Sequence, residues 1–240
     1  MSIQRLDKAV ASVGGLTRSE ARDLIKRGQV AVNGITVKDC ALKLQTESDI
    51  LTVDGKSREY EEFVYYLLNK PSGMLSASRD KKAPTVLDLI KPADRRKGLF
   101  CVGRLDKDTT GLLIITDDGE FGHRVISPKS KIKKTYLATL DGSVTGEMTE
   151  KFKNGITLAD GTVCLPAELV AFGGNTAEVT ICEGKYHQIK RMFGTVGLGV
   201  CALKRLSIGK MSLPDGLAEG EYVKLCKKDL DSILAGSDYI

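Results

Sequence analysis

One stretch of this 240-residue chain decides its fold: Cys101-Val102-Gly103-Arg104-Leu105-Asp106-Lys107-Asp108-Thr109-Thr110-Gly111-Leu112-Leu113-Ile114-Ile115-Thr116. Apolar residues at 99–102 and 112–115 stand on either side of a short polar loop. This pattern predicts two buried strands that present the loop at one edge of a sheet. Gly103 and Gly111 bracket the loop, which suits unusual backbone angles or the close approach of another molecule.

Asp106 lies at the tip of the loop, with Arg104 nearby to favour an ionised carboxylate at neutral pH. Taken alone, a loop aspartate more often bonds backbone amides in a turn than takes part in catalysis. A calcium loop is a second alternative, because Asp106, Asp108 and Thr110 have the spacing of an EF-hand. The sequence excludes calcium, since Asp117 stands where the bidentate glutamate is required and follows an apolar run.

The pattern Gly-Arg-Leu-Asp-x-x-Thr-x-Gly-Leu-Leu at residues 103–113 resembles the signature loop of the pseudouridine synthases, in the branch that modifies ribosomal RNA. The resemblance implies that Asp106 is the catalytic residue. It also implies that Arg104 and Thr110 support the active site.

Two further motifs of that family occur in the same order along the chain. Residues 70–73 are similar to its Lys-Pro-x-Gly turn, and residues 134–136 are similar to its Lys-x-Tyr motif. Taken alone, a strand tyrosine usually packs in the core or across a strand pair. The resemblance implies that Tyr136 stacks on the target uracil, and an aromatic face is what an extruded base needs.

A fourth motif lies where a predicted helix begins, near His187. Taken alone, a histidine in this position is expected to be a polar residue with a structural role. The resemblance implies that a basic residue after His-Gln-Ile pairs with the catalytic aspartate, and Lys190 holds that position. Many relatives have arginine there, which binds a carboxylate differently from lysine. Lys190 and the adjacent Arg191 therefore stay open alternatives for this contact.

Residues 1–59 predict a small unit of two helices and small β-hairpins. Thr17 and Glu20 form a capping-box pattern, and the helix that they open is expected to end at Gly28. The unit resembles a small RNA-binding domain shared by a small-subunit ribosomal protein, tyrosyl-tRNA synthetase and many RNA modifiers. The resemblance implies that a basic stripe contacts phosphates, where the alternative is a solvated face: Arg18, Arg22, Lys26 and Arg27.

Residues 60–240 predict strands in hairpin-like succession with a few interspersed helices. This pattern indicates an α+β fold with a mixed, mainly antiparallel sheet. The resemblance implies that these residues form a pseudouridine synthase catalytic domain after the small RNA-binding domain.

Charge and composition agree with a nucleic-acid partner and exclude several other classes. The net charge is +5, and residues 60–135 hold 15 Lys and Arg against 10 Asp and Glu. The six cysteines form no Cys-x-x-Cys pair and predict buried free thiols in a reducing cytosol, not a zinc site. No apolar signal region or long apolar run occurs, so we expect a cytoplasmic protein without a membrane segment, by default a monomer.

The resemblance therefore implies an enzyme that isomerises one uridine of ribosomal RNA to pseudouridine, a reaction for which we expect no cofactor and no metal. The sequence Lys-Tyr-His-Gln at residues 185–188 is most similar to that of the family members that act on small-subunit (16S) ribosomal RNA. A large-subunit synthase and a non-catalytic RNA-binding assembly factor are the alternatives. The target nucleotide, free RNA or assembly particle as substrate, and Asp106 as nucleophile or base all stay open.

Overall fold

The computed structural model of the chain describes residues 3–46, 48–58 and 60–235. The chain divides into two compact units, Met1–Val64 with Pro92–Gly98, and Tyr65–Lys91 with Leu99–Ile240. The division expected from the sequence falls between residues 59 and 60, and residue 59 lies outside the described residues. That boundary stays a prediction.

The first unit holds two helices and six short strands within its described part. They are β1 (Ile3–Arg5), α1 (Leu6–Gly14), α2 (Arg18–Lys26), β2 (Val30–Val32), β3 (Ile35–Thr36), β4 (Lys43–Gln45), β5 (Leu51–Val53) and β6 (Lys56–Arg58). Strands β3, β2, β5 and β6 form an antiparallel sheet in that order, and β1 pairs with β4. The apolar faces of both helices are buried with this sheet, as Leu6, Val10, Ile25 and Leu51 show.

The structure confirms the capping box and the small β-hairpins predicted for the first unit. The backbone amide of Glu20 donates to the Thr17 hydroxyl at 3.3 Å, and the amide of Thr17 donates to the Glu20 carboxylate at 2.6 Å. The two hairpin turns begin at Asn33 and Asp54, whose φ angles are 50° and 49°. Asparagine and aspartate tolerate this left-handed conformation better than other non-glycine residues, which is why these turns can be predicted.

The second unit consists of a large sheet with helices. Its elements are β7 (Tyr65–Lys70), β8 (Phe100–Val102), β9 (Thr110–Thr116), α3 (Gly119–Ile126), β10 (Lys134–Leu140), α4 (Gly146–Asn154), β11 (Glu168–Ala171), β12 (Thr176–Ile181), α5 (Gln188–Thr195), β13 (Val200–Ile208), β14 (Met211–Ser212), β15 (Tyr222–Lys224) and α6 (Lys227–Leu234). The main strand order is β11-β12-β10-β13-β9-β7-β15, with β8 added beside β9 and β14 beside β13. The β9–β13 pair is parallel and the other pairs of this sheet are antiparallel. The predicted α+β fold with a mixed, mainly antiparallel sheet is confirmed.

The deciding stretch forms the antiparallel pair β8 and β9, with Val102 opposite Ile114 and the residues 112–115 fully buried. Gly111 has a φ of 97°, and a β-carbon there would lie 2.3 Å from the carbonyl oxygen of Arg205. The close approach expected at this glycine is therefore made by the neighbouring strand β13 and not by another molecule.

The cysteine prediction is wrong in part. All six cysteines are free thiols, as expected, but Cys201 and Cys226 are exposed, while Cys164 is the buried one. Among the described residues, no helix combines the length and the apolar character needed to cross a membrane.

Candidate active site

A pocket in the second unit forms where the β8–β9 loop, strand β10 and the start of α5 meet. The polar or aromatic residues that line it include Arg104, Asp106, Thr109, Tyr136, His187, Gln188 and Lys190. Three of the four family-like motifs thus contribute residues to a single cavity, although Arg104 and Lys190 are 86 positions apart in the chain.

Asp106 contributes a carboxylate to the lining of this pocket, and its side chain is 27% exposed. The Lys190 ammonium nitrogen lies 3.3 Å from Oδ2 of Asp106. Nε2 of His187 lies 3.4 Å from Oδ1. Each oxygen of the carboxylate therefore has a nitrogen of the 187–190 segment beside it, and the carboxylate remains accessible to a ligand.

Lys190 bridges two acidic residues of the β8–β9 loop, because its ammonium also donates to Oδ1 of Asp108 at 2.6 Å. Burial lowers the pKa of Lys190, but the hydrogen bond and charge of Asp108 and the charge of Asp106 outweigh this effect and leave the pKa raised. Arg191 points elsewhere and pairs with Asp160 at 2.5 Å. Of the two alternatives, the structure brings Lys190 to Asp106.

The loop that carries Asp106 is held by the lysine of the Lys-Pro-x-Gly motif and by Ser76, which follows that motif. The fully buried ammonium of Lys70 donates to the carbonyl oxygens of Pro71, Lys107 and Thr109 at 3.0, 3.1 and 2.9 Å. Ser76 exchanges two hydrogen bonds with the backbone of Leu105, at 2.9 and 3.1 Å. The backbone on both sides of Asp106 is therefore held in place without using the aspartate side chain.

Tyr136 lies on the buried face of β10, where alternate residues point inward. Its hydroxyl is 3.4 Å from Nη1 of Arg205, whose guanidinium carbon lies 5.9 Å from the centre of the ring. Nε of Arg205 donates to the carbonyl oxygen of Leu112 at 2.7 Å, while its buried Nη2 has no partner among the described residues. Tyr136 is thus both packed, as a strand tyrosine usually is, and part of the pocket wall.

Lys134 precedes this tyrosine on the same face of the strand and is only 7% exposed. Burial, together with the positive charge of Arg205, lowers the pKa of Lys134 to about 8. An amine in such a position carries its charge at a cost in folding free energy.

Two supporting residues expected from the sequence differ in position. Arg104 lines the pocket, is exposed and has no ion-pair partner within the described ranges, so it is available to a ligand. Thr110 does not line the pocket; it begins β9 and stands opposite Lys204. The neighbouring Thr109 lines the pocket instead, with a buried hydroxyl that lacks a partner in the described part of the chain.

Two residues of the basic stripe, Arg18 and Arg22, contact a buried acid that the sequence did not reveal. Asp7 is fully buried and receives two 3.2 Å hydrogen bonds from Arg5 and one of 3.1 Å from Arg22. Arg18 lies 3.8 Å from the same carboxylate. The hydrogen bonds from Arg5, helped by Arg22 and Arg18, hold the pKa of Asp7 below its ordinary value in spite of its burial. The stripe is therefore partly a structural ion cluster.

Lys26 and Arg27, the other two members of the stripe, are exposed and form no ion pair among the described residues. Their charges are available to an external partner, in contrast to those of Arg18 and Arg22.

Three residues of the site were missed from the sequence: Lys70, His187 and Arg205. The sequence did contain a signal for Arg205. It stands two residues after Leu203 on β13, so both side chains are on the same, buried face of the strand. No local pattern indicates that the lysine of a turn motif is buried, or that a helix begins with its histidine aimed at a distant loop.

Comparisons with known proteins give matches over both parts of the chain. Residues 64–195 match the RNA pseudouridylate synthase family, and residues 4–51 match the S4 domain. The chain is 40% identical over 230 residues to an uncharacterized RNA pseudouridine synthase of Bacillus subtilis, covering 94% of this chain and 96% of that protein. It is 39% identical over 230 residues to the ribosomal small subunit pseudouridine synthase A of Vibrio cholerae, covering 95% and 99%. A crystal structure of a pseudouridylate synthase is 37% identical, with a TM-score of 0.67 over 95% of this chain and 99% of that one.

Proposed function

Because the chain belongs to the RNA pseudouridylate synthase family, we propose that it converts one uridine of small-subunit ribosomal RNA to pseudouridine. The observation that carries the proposal is the Asp106 carboxylate, which lies in an accessible pocket between Lys190 and His187 and beside Tyr136. The relatives named for the ribosomal small subunit support the choice of RNA.

The reaction requires three changes at one nucleotide. The glycosidic bond between a uracil ring nitrogen and the sugar breaks, the uracil rotates, and a new bond joins the sugar to carbon 5 of the base. Carbon 5 then loses its proton, and the ring nitrogen that left the sugar gains one, so that the product is an isomer of the substrate. The Asp106 carboxylate acts on the sugar, as a nucleophile or as a base. Nothing is oxidised or hydrolysed overall, so the proposed reaction uses no cofactor and no metal.

The neighbouring side chains have separable roles in this proposal. Lys190 stabilises and orients the carboxylate through the 3.3 Å contact. Tyr136 offers its ring to the uracil, which has lost its stacking neighbours in the RNA. Arg104, exposed at the pocket and without an ion-pair partner in the described chain, contacts an RNA phosphate near the target. Arg191 and Thr110 do not line the pocket, and in this proposal they have only structural roles.

RNA affinity in this proposal comes in part from the first unit. Lys26 and Arg27 present charges that no ion pair of the described residues neutralises to the phosphate backbone, and Arg18 and Arg22 add the exposed parts of their guanidinium groups. These contacts position the RNA, while the pocket of the second unit selects the nucleotide.

The test compares the wild type with Asp106→Asn on unmodified small-subunit ribosomal RNA, free and in partly assembled particles. Carbodiimide labelling and primer extension locate any pseudouridine. One new pseudouridine that is absent with Asp106→Asn is the expected result. Product on large-subunit RNA alone would contradict the substrate, and equal product from both proteins would contradict the role of Asp106. RNA binding without any product would favour an assembly factor.

A further inference from the structure

We propose that His187 is a positioning residue for this isomerisation, fixing the plane of the Asp106 carboxylate by its contact with Oδ1 while Lys190 contacts Oδ2. The inference rests on the proposed function and extends it to a residue for which the sequence alone predicts only a structural role. Four features of the described residues carry it: the backbone of His187, the network below it, the ring stacked on it and the shared contacts of Lys190.

The backbone of His187 is in the left-handed region, with φ 47° and ψ 35°, immediately before α5. Few non-glycine residues adopt this conformation, and those that do are frequent at functional sites. Here the conformation directs the imidazole toward the β8–β9 loop and places Nε2 3.4 Å from Oδ1 of Asp106.

A buried network keeps this turn in place. The side-chain amide of Gln188 donates to Oε1 of Glu183 at 2.8 Å and accepts from the backbone amide of Lys185 at 2.9 Å. Oε1 of Glu183 also accepts from the backbone amide of Leu165 at 2.9 Å. The turn therefore holds its left-handed residue through contacts that do not involve the histidine ring, and the ring is free to act on Asp106.

Tyr186 fixes the orientation of the ring. The two rings are stacked with centroids 3.8 Å apart and an interplanar angle of 18°. Tyr186 is itself 76% exposed, so its stacking serves His187 more than the core. With one face covered, the imidazole presents its edge, and hence Nε2, to the carboxylate.

A second contact is needed because Lys190 alone leaves the carboxylate free to turn. The rotation of a carboxylate about its terminal torsion is broad. The Lys190 ammonium lies closer to Asp108, at 2.6 Å, than to Asp106, at 3.3 Å, so it is shared between the two acids. A nitrogen on each oxygen restricts that rotation, which keeps the reacting lone pair directed at the sugar.

The test uses three variants of the full-length protein and steady-state kinetics on the RNA substrate. His187→Asn keeps a residue that tolerates the left-handed backbone, but its short amide does not reach the Nε2 position. His187→Gln brings an amide nitrogen near that position. His123→Asn changes the other histidine of the chain, which is exposed on α3 and does not line the pocket.

We expect His187→Asn to lower kcat about tenfold with KM for RNA within about twofold. His187→Gln should recover most of kcat, and His123→Asn should match the wild type. A merely structural role for His187 would not give recovery by glutamine at unchanged KM.

Two results would overturn the inference alone: wild-type kcat in His187→Asn beside inactive Asp106→Asn, or a His187→Gln variant as slow as His187→Asn. Absence of pseudouridine with the wild type would overturn the proposed function and this inference together.

Discussion

The buried ammonium of Lys70 donates a 2.9 Å hydrogen bond to the carbonyl oxygen of Thr109, three residues beyond Asp106. The same ammonium holds the carbonyl oxygen of Lys107, and that oxygen also accepts from the backbone amide of Gly73. Burial lowers the pKa of Lys70, while the charges of Asp108 and Asp106 oppose this effect. The conformation of the proposed catalytic loop thus depends on a lysine that is inaccessible to substrate.

Lys70→Met should therefore impair both the stability of the second unit and its activity. Methionine fills a similar volume but leaves carbonyl oxygens of the loop without a donor, at a cost of about 2–3 kcal/mol in unfolding free energy. Urea unfolding followed by circular dichroism measures that cost. The matched control is Lys107→Met, which removes an exposed lysine of the same loop but keeps the backbone carbonyl. Equal stability of the two variants would contradict the role of Lys70.

The two basic residues at the start of α5 should differ sharply in their effect on turnover. Lys190→Met removes the ammonium from Asp106 and Asp108, and we expect kcat to fall about a hundredfold or more. Lys190→Arg should keep much of the activity, because a guanidinium can also contact the carboxylate. Arg191→Met breaks the surface pair with Asp160 and should stay within about threefold of the wild type. A larger loss with Arg191→Met than with Lys190→Met would reverse the assignment.

Local signals predicted many of the elements, and the family resemblance predicted Asp106, Tyr136 and Lys190 of the pocket, but neither predicted the contact of His187 with Asp106. The Thr17–Glu20 box and the strands around the Asp106 loop follow from spacing within a few residues, which sequence patterns report well. The contact of His187 with Asp106 joins residues 81 positions apart through a strained turn. The buried Asp7 of α1 depends on three arginines, one from β1 and two from α2. Such contacts arise from tertiary packing, which a local pattern does not encode.

The basic stripe of α2 offers a test that separates RNA binding from folding. Lys26→Ala with Arg27→Ala removes two charges that have no ion-pair partner in the described chain. We expect weaker RNA binding and a slope of log K against log salt smaller by roughly 1.5–2. Arg18→Ala with Arg22→Ala should weaken binding as well, but it also removes two partners of buried Asp7 and should speed amide exchange in α1 and α2.

Filter binding at several salt concentrations measures the first effect, and hydrogen exchange of the full-length protein measures the second. Lys151→Ala on α4, a surface lysine paired with Glu147, controls for loss of charge elsewhere. An unchanged salt slope with Lys26→Ala and Arg27→Ala would show that these two residues form a solvated face that does not contact RNA.

The two glycines that bracket the Asp106 loop should respond differently to alanine. Both have positive φ angles, 76° for Gly103 and 97° for Gly111. A β-carbon at Gly103 meets only a side-chain methyl of Ile126 at 3.5 Å, so backbone strain alone costs about 1–2 kcal/mol. At Gly111 the β-carbon collides with the backbone of Arg205 on β13. Gly111→Ala should cost about 4 kcal/mol or more in unfolding free energy, and similar costs would contradict the close β9–β13 contact.

The buried amine of Lys134 should make stability depend on alkaline pH. Its pKa is about 8 in the folded chain, against an ordinary value of 10.5, because burial and then Arg205 oppose the charge. Between these values the unfolded chain binds more protons than the folded one, so stability rises as the pH increases from about 8 to about 10.5. Below pH 8 both states are charged, and the cost is present in full.

Lys134→Met should therefore be more stable than the wild type near pH 7.5, by about 3 kcal/mol at most, and the difference should shrink as the pH approaches 10. Urea midpoints at pH 7.5, 8.5 and 9.5 measure this convergence. Lys133→Met is the matched control, since Lys133 is the exposed neighbour on the chain. Parallel pH curves for wild type and Lys134→Met would show that the amine is solvated in the folded protein. Convergence would show instead that the Lys-x-Tyr strand carries its lysine at a cost in stability, beside the tyrosine proposed to receive the uracil.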